Sequence, residues 1–208
     1  MKKIKIALFG GTFDPIHLGH TTVAAEAAKH IGADKVIFVP ANSSPLKGFT
    51  PIANGAQRFK MTSLAIADQQ NFEVSDYELR KPAPSYTLET VVKFTNEYKK
   101  SVIYWLIGAD SIDDLVHWHR IVKLIDTCNL TTMYRAGCEP PDFTKFKTEW
   151  GKQCVEKLQH NIIQTSLVDI SSTEIRNRLA AGQDVSDMLH PTVAAYIKEH
   201  GLYQSKTS

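Results

Sequence analysis

Val102-Ile103-Tyr104-Trp105-Leu106-Ile107 is an unbroken apolar run, and it constrains the fold more than any other segment. A strand with one face in water alternates apolar and polar side chains. A strand apolar throughout is covered on both faces, the mark of a central strand in a parallel sheet. Ile4 to Phe9 and Lys35-Val36-Ile37-Phe38-Val39 read the same way, the second stopped by Pro40. Shorter strands are expected at Phe72 to Leu79, Leu130 to Tyr134 and Ile162 to Val168. Helical spacing fills the intervals: Thr22 to His30, Gln57 to Asp68, Tyr86 to Lys99, Asp113 to Ile125, Ser172 to Ala181 and Pro191 to His200. Gly32, Gly182 and Gly201 stand as stops after three of them. Residues 41–54 read as a loop and 137–159 as an excursion with some helix. Alternating strands and helices predict an α/β fold, an open and mainly parallel sheet with helices on both faces. Such sheets bind ligands at the carboxyl ends of their strands, where the strand order reverses.

The 208 residues fit one domain, 1–208, and 43% hydrophobic with 22% charged residues is ordinary for a chain that buries a core. A formal net charge of +2 is too slight to point to nucleic acid, and no basic patch or aromatic platform is visible. No apolar run approaches the roughly 20 residues of a membrane span. After the basic start Met-Lys-Lys-Ile-Lys, only Ile6 to Phe9 follow as an unbroken apolar run, short of a secretory leader. Cys128, Cys138 and Cys154 are isolated, which points to a reducing compartment, with the cytoplasm as the default.

The segment Gly10-Gly11-Thr12-Phe13-Asp14-Pro15-Ile16-His17-Leu18-Gly19-His20 joins the first strand to the first helix. Two glycines without Cβ atoms permit positive φ and a close ligand. A helix that follows offers unpaired N–H groups and partial positive charge to phosphate oxygens. His17 and His20, three apart, share one face of the first turn, and each can donate to a phosphate and gain a proton beside it. Gly19 between them leaves room for a nucleotide. A zinc pair would need further ligands, and the scattered cysteines offer none. Neither a G-x-x-x-x-G-K-[ST] loop nor a G-x-G-x-x-G fingerprint is present.

Other strand ends carry polar signatures too. Gly108-Ala109-Asp110-Ser111 follows Ile107, and Asp110 reads either as a ligand of a ribose or metal-bound nucleotide or as a plain capping carboxylate. Trp118, within His117-Trp118-His119, either stacks a heteroaromatic ring or fills the core. In Asp169-Ile170-Ser171-Ser172-Thr173-Glu174-Ile175-Arg176, Ser171 or Ser172 caps a helix, and Ser171, Ser172, Thr173 and Arg176 make a second anion site. One triphosphate can then lie between two helix N-termini. Lys47 and Arg135 reach the same phosphates or are solvated charges. Ser85-Tyr86-Thr87 binds a smaller substrate or caps a helix.

Taken together, these residues resemble the H-x-G-H nucleotidyltransferases. Residues 10–20 are similar to their first signature, and I-S-S-T-E-I-R at 170–176 to their second. Within that superfamily the chain is most similar to bacterial nicotinate-nucleotide adenylyltransferases. The likeness extends to a P-x-x-x-x-P-x-K loop (Pro40 to Lys47), Arg58 in the next helix, Ser85 to Thr87, Gly108 to Ser111 with Trp118, Arg135 and the ending P-x-V-x-x-Y-I-x-x-H-G-L-Y. Where many relatives carry P-P-H-K, this chain has Ser44-Pro45-Leu46-Lys47.

The resemblance implies the Rossmann-like nucleotidyltransferase fold, with the second phosphate motif and a helical C-terminal part from about residue 170. It implies adenylyl transfer from ATP to nicotinate mononucleotide, giving deamido-NAD and pyrophosphate in NAD biosynthesis. The implied partners are these two nucleotides, with no nucleic acid and no membrane, and a homo-oligomer is compatible with it. Mg²⁺ is the implied cofactor, bound through the ATP phosphates and by no protein side chain. His17, His20 and Arg176 carry the catalytic roles. Gly10, Gly11, Thr12, Phe13, Lys47, Gly108, Asp110, Ser171, Ser172 and Thr173 join them in holding ATP. The mononucleotide falls to Asn42, Ser85, Tyr86, Thr87, Trp118 and Arg135. The same chemistry on nicotinamide mononucleotide, phosphopantetheine or a cytidylyltransferase acceptor is the alternative enzyme reading. A nucleotide-binding regulatory module is the non-enzyme one.

Overall fold

The computed structural model describes residues 3–43 and 50–205. Six strands, β1 (Lys5–Gly11), β2 (Lys35–Pro40), β3 (Phe72–Val74), β4 (Val102–Gly108), β5 (Asn129–Arg135) and β6 (Ile162–Thr165), form one sheet in the order β3-β2-β1-β4-β5-β6. Every adjacent pair is parallel. The order reverses between β1 and β4, so the crevice for a ligand opens at the carboxyl end of β1.

Strand side chains alternate between two apolar layers. Ala7, Phe9, Val36, Phe38 and Leu106 enter one core with α1 (Leu18–Ile31), α2 (Gly55–Ala65), α7 (Ser172–Ala180) and α8 (Pro191–Glu199). Ile6, Leu8, Ile37, Val39, Trp105 and Ile107 enter the other, with α3 (Thr87–Glu97), α4 (Ile121–Thr127), α5 (Lys147–Trp150) and α6 (Lys152–His160). Both faces are covered, which is why the central strands read as apolar throughout.

The expected fold class and order hold, and the departures cluster around the crevice. The first helix starts at Leu18 rather than Thr22, because His17, extended at φ −145° and ψ 170°, occupies its N-cap. It ends at Gly32 as expected, with φ 66° and the Ala33 N–H returning to the Ala28 carbonyl at 2.8 Å. The strand expected over 72–79 stops at Val74, and residues 77–81 turn back so that Glu78 is buried. The helix expected over 113–125 is broken: a 3₁₀ turn spans Asp113–His117, Trp118 is extended and Arg120 adopts φ 54° before α4 starts. That break lets the His117-Trp118-His119 segment leave the helix axis and line a cavity. The strand expected over 162–168 ends at Thr165, and the next residues form an irregular wall held by Ser166, whose N–H and hydroxyl both donate to Glu26. The 137–159 excursion resolves into a 3₁₀ turn at Thr144–Phe146 followed by α5 and α6.

Candidate active site at the carboxyl edge of the sheet

Two cavities meet over the end of β1. The larger, about 750 Å³, is lined by His17, His20, Gly108, Asp110, Arg135, Ser171 to Thr173 and Arg176. The smaller, about 170 Å³, is lined by Glu78, Ser85 to Thr87, Trp105 and His117 to His119. Phe9, Gly10, Gly11 and Thr12 belong to both. The glycines therefore work differently from the expectation. Neither has a positive φ. A Cβ on Gly10 would fall 2.3 Å from the Trp105 ring, and one on Gly11 would fall 2.8 Å from the Phe13 ring. Their missing side chains admit those rings and leave bare backbone as the common wall. The positive φ in this turn lies at Phe13, at 49°, whose ring meets Phe9 and His20 edge-on with centroids 5.7 and 5.1 Å apart.

His17 and His20 lie ring against ring, with centroids 3.7 Å apart. The His17 N–H donates to His20 Nδ1 at 3.3 Å. That bond places the proton of a neutral His20 on Nε2. Gly19 borders the larger cavity and also makes room for the His17 ring, since a Cβ there would sit 3.0 Å from His17 Nδ1. The His17 Nδ1 is buried and makes no hydrogen bond. Burial disfavours its charged form and lowers its pKa to about 4, so at neutral pH this imidazole is uncharged.

This has a signed consequence for stability. An unfolded histidine titrates near 6.5. His17 therefore contributes stability above about pH 6.5 that is lost as the pH falls through about 4. Between pH 7 and 4.5 the linked loss is about 2–3 kcal/mol. Urea unfolding of wild type and His17→Asn at both pH values checks it. The variant's pH-dependent loss is expected to be smaller by about that amount, and equal losses refute the assignment.

Ser171 caps α7, its hydroxyl accepting the Glu174 N–H at 3.1 Å. The Ser172 hydroxyl donates to the Pro15 carbonyl at 2.8 Å. Arg176 donates from Nη1 to the Asp14 carbonyl at 2.8 Å and from Nη2 to the Thr173 hydroxyl at 3.1 Å. The second motif is thus clamped onto the first and presents its remaining donors to the larger cavity. Gly108 lets Asp110 fold back, since a Cβ there would meet Asp110 Oδ1 at 2.3 Å. Arg135, which the resemblance places with the mononucleotide, lines the larger cavity and pairs with exposed Asp169 at 3.3 Å. Lys47 lies outside the described residues.

In the smaller cavity, Tyr86 occupies the N-cap of α3 and makes no side-chain cap bond, so neither Ser85 nor Thr87 is a conventional cap. Ser85 is buried; its hydroxyl accepts the Asn42 N–H at 3.3 Å and bonds to Glu78. The Asn42 side chain donates to the Lys81 carbonyl at 2.7 Å, bracing the wall rather than lining the cavity. The Tyr86 and His119 rings lie tilted against each other with centroids 4.5 Å apart, and Trp118 is half-buried. Glu78 has no counterpart in the sequence reading. It is 4% exposed, accepts the Thr90 hydroxyl at 2.6 Å, and burial raises its pKa. Its surroundings, Asp76-Tyr77-Glu78-Leu79-Arg80, have the charge pattern of a solvated turn, so no sequence signal marks it.

Among the described residues, no three His, Cys, Asp or Glu side chains gather as a metal site. Also among them, no helix is long and apolar enough to cross a membrane.

Comparison with known proteins matches this geometry. The cytidylyltransferase-like family matches residues 8–178, a span that holds both the 10–20 and the 170–176 segments. A probable nicotinate-nucleotide adenylyltransferase of Dehalococcoides mccartyi is 37% identical, covering 98% of each chain. Another, from Neisseria meningitidis serogroup B, is 37% identical over 96% of this chain and 98% of its own. Among solved structures, the Plasmodium falciparum nicotinic acid mononucleotide adenylyltransferase complexed with NaAD superposes with a TM-score of 0.72. It is 19% identical and covers 96% of this chain and 97% of its own, so it speaks for the fold. Because the match passes through both motifs and the bacterial relatives align almost end to end, the chain belongs to the family of nicotinate-nucleotide adenylyltransferases.

Proposed function

We infer that this chain transfers the adenylyl group of ATP to nicotinate mononucleotide, forming deamido-NAD and releasing pyrophosphate. The observation that carries this is the common wall of bare backbone at residues 10–12 between a donor-lined cavity and an aromatic one. A triphosphate in the larger cavity and a pyridine nucleotide in the smaller bring their phosphates together over that wall. The names of the bacterial relatives support this choice of substrates. A mononucleotide phosphate oxygen attacks the α-phosphorus of ATP in line. The bond from that phosphorus to the bridging oxygen breaks, and pyrophosphate leaves with the electron pair. No protein nucleophile is needed, so rate comes from positioning and charge stabilisation.

In this reading His17, His20 and Arg176 hold the phosphates, with Ser171, Ser172 and Thr173 at the β/γ end. Gly10, Gly11, Thr12, Phe13, Gly108 and Asp110 line the nucleotide path. Tyr86, Thr87 and Trp118 face the pyridine ring, with Ser85 and Asn42 bracing them. The carboxylates bordering the larger cavity are Asp14, Asp110 and Glu139, and both oxygens of Asp14 are already engaged. That set fits Mg²⁺ entering with ATP, on the phosphates. Three unpaired cysteines are consistent with a cytoplasmic setting.

Pyrophosphate release with ATP and each of nicotinate mononucleotide, nicotinamide mononucleotide and phosphopantetheine tests the reading. Turnover is expected to be fastest with the first, and its absence with all three overturns the proposal. Trp118→Ala is expected to raise KM for the mononucleotide about tenfold or more, the scale of a lost stacking contact, and to leave KM for ATP within about twofold. Equal effects on both would make Trp118 a packing residue only.

A further inference from the structure

The turn that carries Phe13 and Asp14 is held from the C-terminal tail, beyond the residues that match the cytidylyltransferase-like family. Asp14 is 2% exposed. Its Oδ2 accepts the Ile52 N–H at 2.8 Å, and its Oδ1 accepts the Ala53 N–H at 3.0 Å and the Tyr203 hydroxyl at 2.6 Å. The cytidylyltransferase-like match ends at residue 178, and Tyr203 closes the ending P-x-V-x-x-Y-I-x-x-H-G-L-Y that lies beyond it. The chain reaches it by a tight stop after α8: Gly201 has φ 57° and the Leu202 N–H returns to the Ile197 carbonyl at 3.0 Å. Tyr203 itself has φ 63°, an uncommon conformation for a bulky residue. The Ser205 hydroxyl donates to the Ala180 carbonyl at 2.9 Å, tying the tail to α7.

The same few atoms are gripped from two more directions. Arg58, 2% exposed, donates from Nη1 to the Thr12 and Ala41 carbonyls, both at 2.7 Å, and from Nε to the Ala53 carbonyl at 3.2 Å. Arg176 and Ser172 hold the carbonyls of Asp14 and Pro15. All but one of these contacts come from within the family core or from loop backbone. The Tyr203 hydroxyl is the exception, and burial with the neighbouring Asp14 raises its pKa and keeps it a donor. Because Asp14 also binds the 52–53 backbone, it couples the histidine turn to the end of the loop that leads from the smaller cavity.

We propose that Tyr203 is a positioning residue for phosphate transfer, fixing Asp14 so that the 12–15 turn sets His17 and His20 against the reacting phosphate. The proposal rests on the adenylyl-transfer reading and assigns a role to the C-terminal tail that the reading does not contain. Removing the hydroxyl leaves Asp14 Oδ1 with the Ala53 N–H alone and lets the turn shift without emptying any space in the core. A misplacement on the order of 1 Å at such a site costs up to about 100-fold in rate.

The test is steady-state pyrophosphate release with ATP and nicotinate mononucleotide by the full chain. Tyr203→Phe is expected to lower kcat about 10- to 100-fold with both KM values nearly unchanged. Tyr203→Phe and Asp14→Asn are expected to be strongly non-additive, since both act through one contact. Val193→Ala, in the core of α8 and away from Asp14, is expected to destabilise the same segment while keeping kcat. Normal kcat in Tyr203→Phe, additive effects, or an equal kcat loss in Val193→Ala would each overturn the proposal. If Tyr203→Phe yields no folded protein, Asp14→Asn decides alone, and retained kcat there overturns it. A wild type without turnover removes the adenylyl-transfer reading; an active wild type with an indifferent Tyr203→Phe removes only this inference.

Discussion

His20→Ala is expected to lower kcat by about 100-fold or more, the scale of losing one preorganised donor at a centre of developing charge. The expectation rests on what His20 already does without ligand. Its Nδ1 accepts the His17 N–H, so the ring is oriented and its proton sits on Nε2 before ATP arrives. A donor set in advance costs no reorganisation in the transition state, and that is where its advantage lies. The His17 ring lies against that of His20 with centroids 3.7 Å apart and, uncharged at neutral pH, adds no repelling charge to the pair. Single-turnover and steady-state rates at saturating ATP are the measurements. Near-normal kcat in a folded His20→Ala would remove the phosphate role. His20→Gln, which keeps an N–H donor, should recover part of the loss.

Arg176→Ala is expected to reduce kcat/KM for ATP about 100-fold or more, roughly 3 kcal/mol at 1.36 kcal/mol per decade. Arg176 bridges the 10–20 and 170–176 segments, one nitrogen on the Asp14 carbonyl and another on the Thr173 hydroxyl. Its planar fork leaves further N–H donors for phosphate while it holds the backbone. Lysine keeps the charge and loses the fork, so Arg176→Lys should restore only a small part. KM for the mononucleotide should stay near its wild-type value, because Arg176 borders the larger cavity and not the smaller. A kcat/KM change for ATP below about fivefold would leave Arg176 as a structural clamp alone.

The fold was legible because covered strands carry an unmistakable mark. Val102 to Ile107 is apolar since two helical layers bury it, and nothing outside the strand was needed to see that. The phosphate-facing residues were legible for a similar reason: glycines, histidines and hydroxyls were packed into two short segments. Residues whose role depends on distant partners were not. Glu78 falls near the end of the strand expected over 72–79, and its role shows only once Thr90 and Ser85 close over it. Arg135 follows a strand on either reading, and only the β5–β6 edge decides which cavity it borders. The break at Trp118 to Arg120 defeats helical periodicity because a left-handed arginine and an extended tryptophan interrupt an otherwise regular pattern. Gly10 and Gly19 line the larger cavity, and their missing side chains also serve neighbours in the fold. Their space serves Trp105 and His17, neighbours that only the folded chain brings near.

The two cavities draw on different stretches of chain. Beyond the four residues they have in common, the smaller takes its walls from residues 41–119, including Glu78, Tyr86 and Trp118. The larger takes its remaining walls from the 13–23 turn, the 108–110 corner and residues 133–176. On the adenylyl-transfer reading, acceptor choice and nucleotide grip are therefore expected to be separable by mutation. A descendant of this chain could trade its acceptor by rebuilding one half while inheriting the triphosphate grip intact, and a library confined to positions 78–87 and 111–119 is the place to select for that change.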